Sequence, residues 1–171
     1  MFSIPGLVLL LVFIYARPLE FLPALRGTPV LYILFALALF GFGLKAGLVP
    51  LHFWLPGAHA AAPSHVSALM SGVLLKTGLY GLLRITGFFS AVPAAWGWTL
   101  LAVGAASAVL GVAFALAQHD LKRLLAYHSV ENVGIIAMGI GLALLGRATG
   151  QPALVALGFS GAALHVVNHA A

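Results

Sequence analysis

Apolar residues run along this chain in long unbroken blocks, and the short segments between them hold most of the proline and charge. A membrane-crossing helix needs roughly 20 apolar residues. On that scale the blocks mark about six segments, at 3–16, 30–55, 66–89, 97–118, 124–146 and 153 to the end. None shows the period-two alternation of a barrel strand. The pattern predicts an all-α integral membrane protein. The links are "ARPLEFLPALRGTP", "PGAHAAAPSH" and "AQHDLKR", and no soluble domain or repeat interrupts the series. The opening "MFSIPGLVLLLVFIYAR" lacks a basic n-region and a small-residue cleavage site, so it reads as a span and not a signal peptide.

Two segments are irregular. In the second, Gly41, Gly43, Gly47 and Pro50 surround Lys45. Pro50 has no N–H and its ring clashes with the carbonyl of Ala46, four residues earlier. A break at Gly47–Pro50 is therefore predicted, making this span discontinuous. Within a bilayer a break is tolerated where protein or water satisfies the freed backbone groups, so Lys45 is expected in a polar pocket. The last segment stops at "LHVVNHAA" without a cap, loop or charge, and looks cut in mid-helix.

Composition sharpens the class. The chain is 63% hydrophobic and 6% charged, against about 25% charged for a soluble domain. With no cysteine, disulfides, zinc–thiolate sites and cysteine-held iron–sulfur clusters are excluded. The net charge of +5 sets eight bases against Glu20, Asp120 and Glu131. That excess fits anionic lipid headgroups or acidic partners elsewhere. The bases are scattered, not clustered, which argues against nucleic acid. Arg17, Arg26 and Arg147 on one side against Lys122 and Arg123 on the other leave orientation open.

The candidate chemistry is cationic and imidazole-based. Lys76, in "SGVLLKTGLYGLL", lies about ten residues from either end of its run, roughly 15 Å at 1.5 Å per residue. That is too deep for the snorkelling that explains most membrane lysines. Lys45, in its broken segment, is closer to that ordinary explanation. Two ammonium groups about 7 Å apart at an effective dielectric near 20 repel by roughly 2.4 kcal/mol. Burial and repulsion both favour the neutral amine, so these lysines are read as groups placed to accept and release protons. Seven histidines accompany them. His52, His59 and His65 flank the broken segment, either as proton carriers or as solvated loop residues. His165 and His169 share a helix face at i, i+4, where with Asn168 they suit a hydrogen-bonded relay better than a metal pair, since no carboxylate falls near them. Glu131, one turn from His128 and beside Asn132, is a proton station, a structural partner for a neighbouring helix, or a shallow group that pairs with Lys122 or Arg123. Arg84 either snorkels or binds a carboxylate on another helix, and Asp120 is the expected N-cap of the fifth segment. No metal site, nucleotide motif or cofactor site is read from the sequence.

The stretch "GLKAGLVPLHFWLPGAHAAAPSHVSALMSGVLLKTGLYGLLR" closely resembles the signature region of antiporter-like membrane subunits. That family is shared by respiratory complex I, Mrp-type cation/proton antiporters and membrane-bound nickel–iron hydrogenases. "HDLKRLLAYHSVENVGII" also resembles it, its "YHSVEN" string pointing to the hydrogenase-4 and formate hydrogenlyase branch, and "ALHVVNHAA" resembles the start of the family's next helix. The resemblance implies a proton-translocating module built on inverted repeats with discontinuous helices and a central axis of lysine, histidine and glutamate. Lys45 matches the lysine beside the broken helix and Lys76 the next one, with His165 and His169 on the helix that continues the axis. The glutamate that pairs with the first lysine and the Phe-Lys that follows the last motif fall outside the chain. Residues 1–171 are therefore expected to be a partial domain, a piece that does not pump alone.

The resemblance implies a proton-translocating subunit of a redox-driven complex, multi-pass in the inner membrane, with other membrane subunits and hydrophilic redox subunits as partners and electron chemistry carried elsewhere. An Mrp-type sodium/proton antiporter subunit is the alternative, since the same motifs serve both. A cytochrome b-like protein with histidine-ligated haem is a remoter one: it would leave the buried lysines without a role.

Overall fold

The computed structural model of the protein describes residues 28–170. The first apolar run and its link, with Arg17, Glu20 and Arg26, lie outside the described residues. Every regular element among those described is a helix: α1 (Pro29–Ala46), α2 (Leu55–Ala61), α3 (Ser64–Leu69), α4 (Leu75–Gly87), α5 (Ala94–Leu116), α6 (Leu121–Thr149) and α7 (Pro152–Ala170). A π-helical turn, Met70–Leu74, joins α3 to α4, so residues 64–87 form one continuous span. Among the described residues five spans are long and apolar enough to cross a membrane, one for each predicted segment after the first.

The break falls at Gly47, within the Gly47–Pro50 stretch from which it is predicted. The second segment, expected to run to residue 55, ends as a helix at Ala46 because Gly47 takes the left-handed conformation at φ 77°. The N–H of Leu48 then returns to the carbonyl of Gly43 at 3.0 Å, closing the helix end before Pro50 is reached. The interruption is hydrogen-bonded to its neighbours. Trp54 Nε1 donates to the Leu44 carbonyl at 2.8 Å. The N–H of Val49 donates to Ser107 Oγ on α5 at 2.9 Å, and that hydroxyl donates in turn to Val103 O at 2.8 Å. Part of the "PGAHAAAPSH" link is helical, as α2, which the uncharged, alanine-rich composition tolerates.

Helix α6 is the centre of the bundle, with α5 on one side and α7 on the other. Without a hydrophobic driving force between helices in lipid, close backbone approach through small residues becomes the main source of packing energy. Here that approach is at glycines. A Cβ on Gly104 would lie 2.7 Å from Gly134 O, and one on Gly134 would lie 2.6 Å from Gly104 O. Gly139 of α6 and Gly158 of α7 meet in the same way, each within 2.9 Å of the other's carbonyl. Helix α1 packs on α4 where Gly78 lies against the backbone of Phe42 and Ala46. At one end of the bundle Phe35 stacks on Trp96 with ring centroids 4.5 Å apart, and Arg147 donates to the carbonyls of Thr86, in the last turn of α4, and Phe89, just beyond it. Asp120 caps α6 as the sequence predicts, its Oδ1 accepting from the N–H groups of Lys122 at 2.7 Å and Arg123 at 3.2 Å.

Candidate functional site

Lys76 occupies the first turn of α4, directly after the π turn, and is 8% exposed. Its ammonium donates to Ser71 O at 2.5 Å, a carbonyl five residues back that the widened turn brings within reach. Single π turns inside α-helices occur often at functional sites, and here the turn supplies a main-chain acceptor to a buried cation. The second partner comes from α7: His169 Nδ1 lies 2.5 Å from Lys76 Nζ. An ammonium has donors only, so His169 Nδ1 must be the bare, accepting nitrogen whenever Lys76 is charged. The π turn is also tied to α6. Ser129 Oγ donates to Leu125 O at 3.1 Å, so its contact with Ser71 Oγ at 2.8 Å is one in which Ser71 donates.

One turn away along α7, about 6 Å for four residues, His165 Nε2 lies 2.8 Å from Asn132 Oδ1 on α6. The same amide donates through Nδ2 to His128 O at 2.7 Å, and His128 Nδ1 contacts Glu131 Oε2 at 2.7 Å. Glu131 therefore pairs with His128 and not with Lys122, whose ammonium donates to Ala62 O at 2.7 Å. Lys76, His169, His165 and Asn132 thus lie where α4, α6 and α7 meet, and the partly exposed His128 and Glu131 follow on α6, with the Glu131 backbone against Gly111 of α5. A cavity of about 270 Å³ opens beside Lys76, walled by apolar residues including Leu79, Ile136, Phe159 and Val166. Such walls lower the local dielectric and strengthen the interactions of the charge they enclose.

The histidines of the break form a separate group. His52 stacks on Phe114 at 5.9 Å and meets Tyr127 edge-on at 6.1 Å. Its pKa is lowered by burial, with the Pro50 main chain acting in the other direction. His59, on α2, is 1% exposed; its Nδ1 contacts Ser67 Oγ at 2.5 Å, and burial lowers its pKa as well. Among the described residues, His52 Nδ1 and His59 Nε2 are buried without a hydrogen-bond partner. His65 is exposed.

The structure relocates several sequence-based expectations. Lys45 is exposed on the last turn of α1, and the described residues build no polar pocket around it, because no described helix covers that face. Its neighbour Ala46 packs on Gly78, two residues from Lys76. The immediate partner of Lys76 is His169 instead of a second lysine. Asn168, expected in the relay, is exposed; the amide that meets His165 is Asn132. Arg84 lies over the Phe88 ring at 5.5 Å. Ser71 and Ser129 carry no mark in the sequence, because a serine in an apolar helix looks the same whether it binds its own backbone or another helix.

Comparison with known proteins places this arrangement in a family. Residues 4–167 match the family described as NADH:quinone oxidoreductase/Mrp antiporter, TM. The chain is 53% identical over 139 residues to hydrogenase-4 component B of Escherichia coli, covering 80% of this chain and 21% of that protein. It is 47% identical over 133 residues to formate hydrogenlyase subunit 3 of the same organism, covering 78% and 22%. Against NADH-quinone oxidoreductase subunit N of Desulforudis audaxviator it is 37% identical over 152 residues, covering 87% and 28%. The chain thus spans about a fifth of the length of its hydrogenase relatives. With five apolar spans among the described residues, a helix broken at Gly47 and a match along nearly its whole length, the chain belongs to the NADH:quinone oxidoreductase/Mrp antiporter transmembrane family.

Proposed function

We propose that this chain is part of an inner-membrane subunit of a redox-driven complex of the hydrogenase-4 or formate hydrogenlyase kind, and that it carries protons along a buried lysine–histidine path. Its partners are other membrane subunits and hydrophilic redox subunits, where the electron chemistry takes place. The observation that carries the reading is the contact of Lys76 Nζ with His169 Nδ1 at 2.5 Å. Two nitrogen bases at that distance can share one proton, and among the described residues neither faces a carboxylate that would hold the charge permanently on one of them.

The step balances simply. An Nζ–H bond of Lys76 breaks, an Nδ1–H bond of His169 forms, and the positive charge moves from amine to ring. The ring then releases its Nε2 proton towards the next acceptor, and the neutral amine awaits a proton from the α1 side. Ser71 O steadies the ammonium before transfer and the amine afterwards. His165 is the next base along α7. Lys45 extends the path towards α1, while His52, His59 and His65 serve the broken segment, and His128 and Glu131 lie beyond Asn132.

The test is Lys76→Ala in the full-length subunit, with the assembled complex reconstituted in vesicles and proton uptake followed by a pH-sensitive dye with and without sodium. Loss of uptake with assembly and redox turnover retained is expected, independent of sodium. Undiminished uptake refutes the path, and uptake that requires sodium transfers the assignment to sodium/proton exchange.

A further inference from the structure

We infer that Asn132 is a positioning residue: it fixes which ring nitrogen of His165 carries the permanent proton, and so makes His165 a store that fills and empties through Nδ1 alone. Donor and acceptor chemistry fixes the tautomer. Asn132 Nδ2 lies 2.7 Å from His128 O, and a main-chain carbonyl can only accept. The amide is therefore oriented with Nδ2 towards its own helix and Oδ1 towards α7. Oδ1 in turn can only accept, so His165 Nε2, at 2.8 Å, must carry the hydrogen. Neutral His165 is held as the Nε2–H tautomer with Nδ1 bare.

This has a directional consequence for a proton that reaches the ring. It adds at Nδ1, forming an N–H bond and a cationic ring. The Nε2 proton cannot then move on, because an amide oxygen is too weak a base to take it and the amide nitrogen is already committed to His128 O. The proton that leaves is the one on Nδ1. Asn132 thus stands between the histidines of α7 and the His128–Glu131 pair, which is closed on itself at 2.7 Å. Passage between the two groups requires the His165 ring to leave the amide and turn.

The functional meaning of this assignment rests on the proton-path reading, but its test does not measure transport. The full chain, with isotope-labelled histidine, is placed in lipid bilayers at a pH where the rings are neutral, and nitrogen NMR reads the tautomer of each ring. His165 is assigned by the signal lost in His165→Gln. The expected parent spectrum shows the Nε2–H form alone. Asn132→Leu, which offers no acceptor, should give a mixture of tautomers or an exchange-averaged signal. Asn132→Asp, which keeps an oxygen facing the ring, should restore the single form. His59, on a different helix, serves as the control for an intact fold.

The inference is overturned by an Nδ1–H form or a mixture in the parent, or by an unchanged His165 signal in Asn132→Leu. Should Asn132→Leu disturb His59 as well, the parent and Asn132→Asp decide alone: the Nε2–H form in both supports the assignment, and any other result removes it. Failure of Lys76→Ala to stop proton uptake would leave these spectra standing, so the two readings fail separately.

Discussion

The glycine contact between α5 and α6 makes a substitution whose sign depends on where it is placed. A Cβ built on Gly134 would sit 2.6 Å from Gly104 O, 2.7 Å from Ala108 N and 2.8 Å from Ser107 Cβ. Two of these are backbone atoms, which cannot swing aside as a flexible side chain would. Gly134→Ala must therefore push the helices apart along the seam, and overpacking of this kind costs about 1–3 kcal/mol. Gly161 on α7 has nothing within 4 Å of its would-be Cβ, so Gly161→Ala removes only glycine's helix penalty and is neutral or stabilising by up to ~1 kcal/mol. The assay is reversible unfolding of the chain in mixed micelles with increasing denaturing detergent, followed by circular dichroism. A loss of even one or two kcal/mol changes the ratio of folded to unfolded chain by roughly 5- to 30-fold, well within reach of the measurement. Equal and same-signed effects of the two substitutions would refute the packing argument, since only backbone proximity distinguishes the sites.

Other outcomes follow from particular side chains. His59 is buried and its pKa lies below the ordinary value of 6.5, so the folded state resists protonating it while the unfolded chain does not. Stability from this site is fully present above about pH 6.5 and falls as the pH drops through that value towards the lower folded pKa; unfolding of the parent should be easier at pH 5 than at pH 7, and His59→Gln should flatten that slope. Asp120→Ala removes the acceptor of two backbone N–H groups at the start of α6 and should cost about 0.5–2 kcal/mol. Faster amide hydrogen exchange at Lys122 and Arg123, with the middle of α6 unchanged, would check it.

Much of the fold was legible because apolar blocks of bilayer length leave few alternatives. The break at Gly47 was legible because a left-handed glycine and a proline act locally, although the helix ends several residues sooner than the apolar run suggests. The depth of Lys76 could likewise be counted along its own segment. Its partner could not: His169 is 93 residues away, and only the packing of α7 on α6 brings it near. Nor does any residue type announce the π turn, since Met70–Leu74 has an ordinary helical composition. Asn168 and Asn132 are equivalent as letters. Which of them meets His165 depends on the rotation of α6 against α7, and that rotation is set by where Gly139 and Gly158 allow the backbones to touch.

The way the interrupted span is sealed bears on how rigid it is. A helix that stops inside a membrane ordinarily leaves bare carbonyls, a ready lining for a dehydrated cation. Here Gly43 O and Leu44 O are taken by neighbouring N–H groups and by the Trp54 indole, and the Val49 amide is taken by Ser107. With these two carbonyls and the Val49 amide engaged, the interruption after α1 is held as a hydrogen-bonded joint between α1, the Trp54 turn and α5.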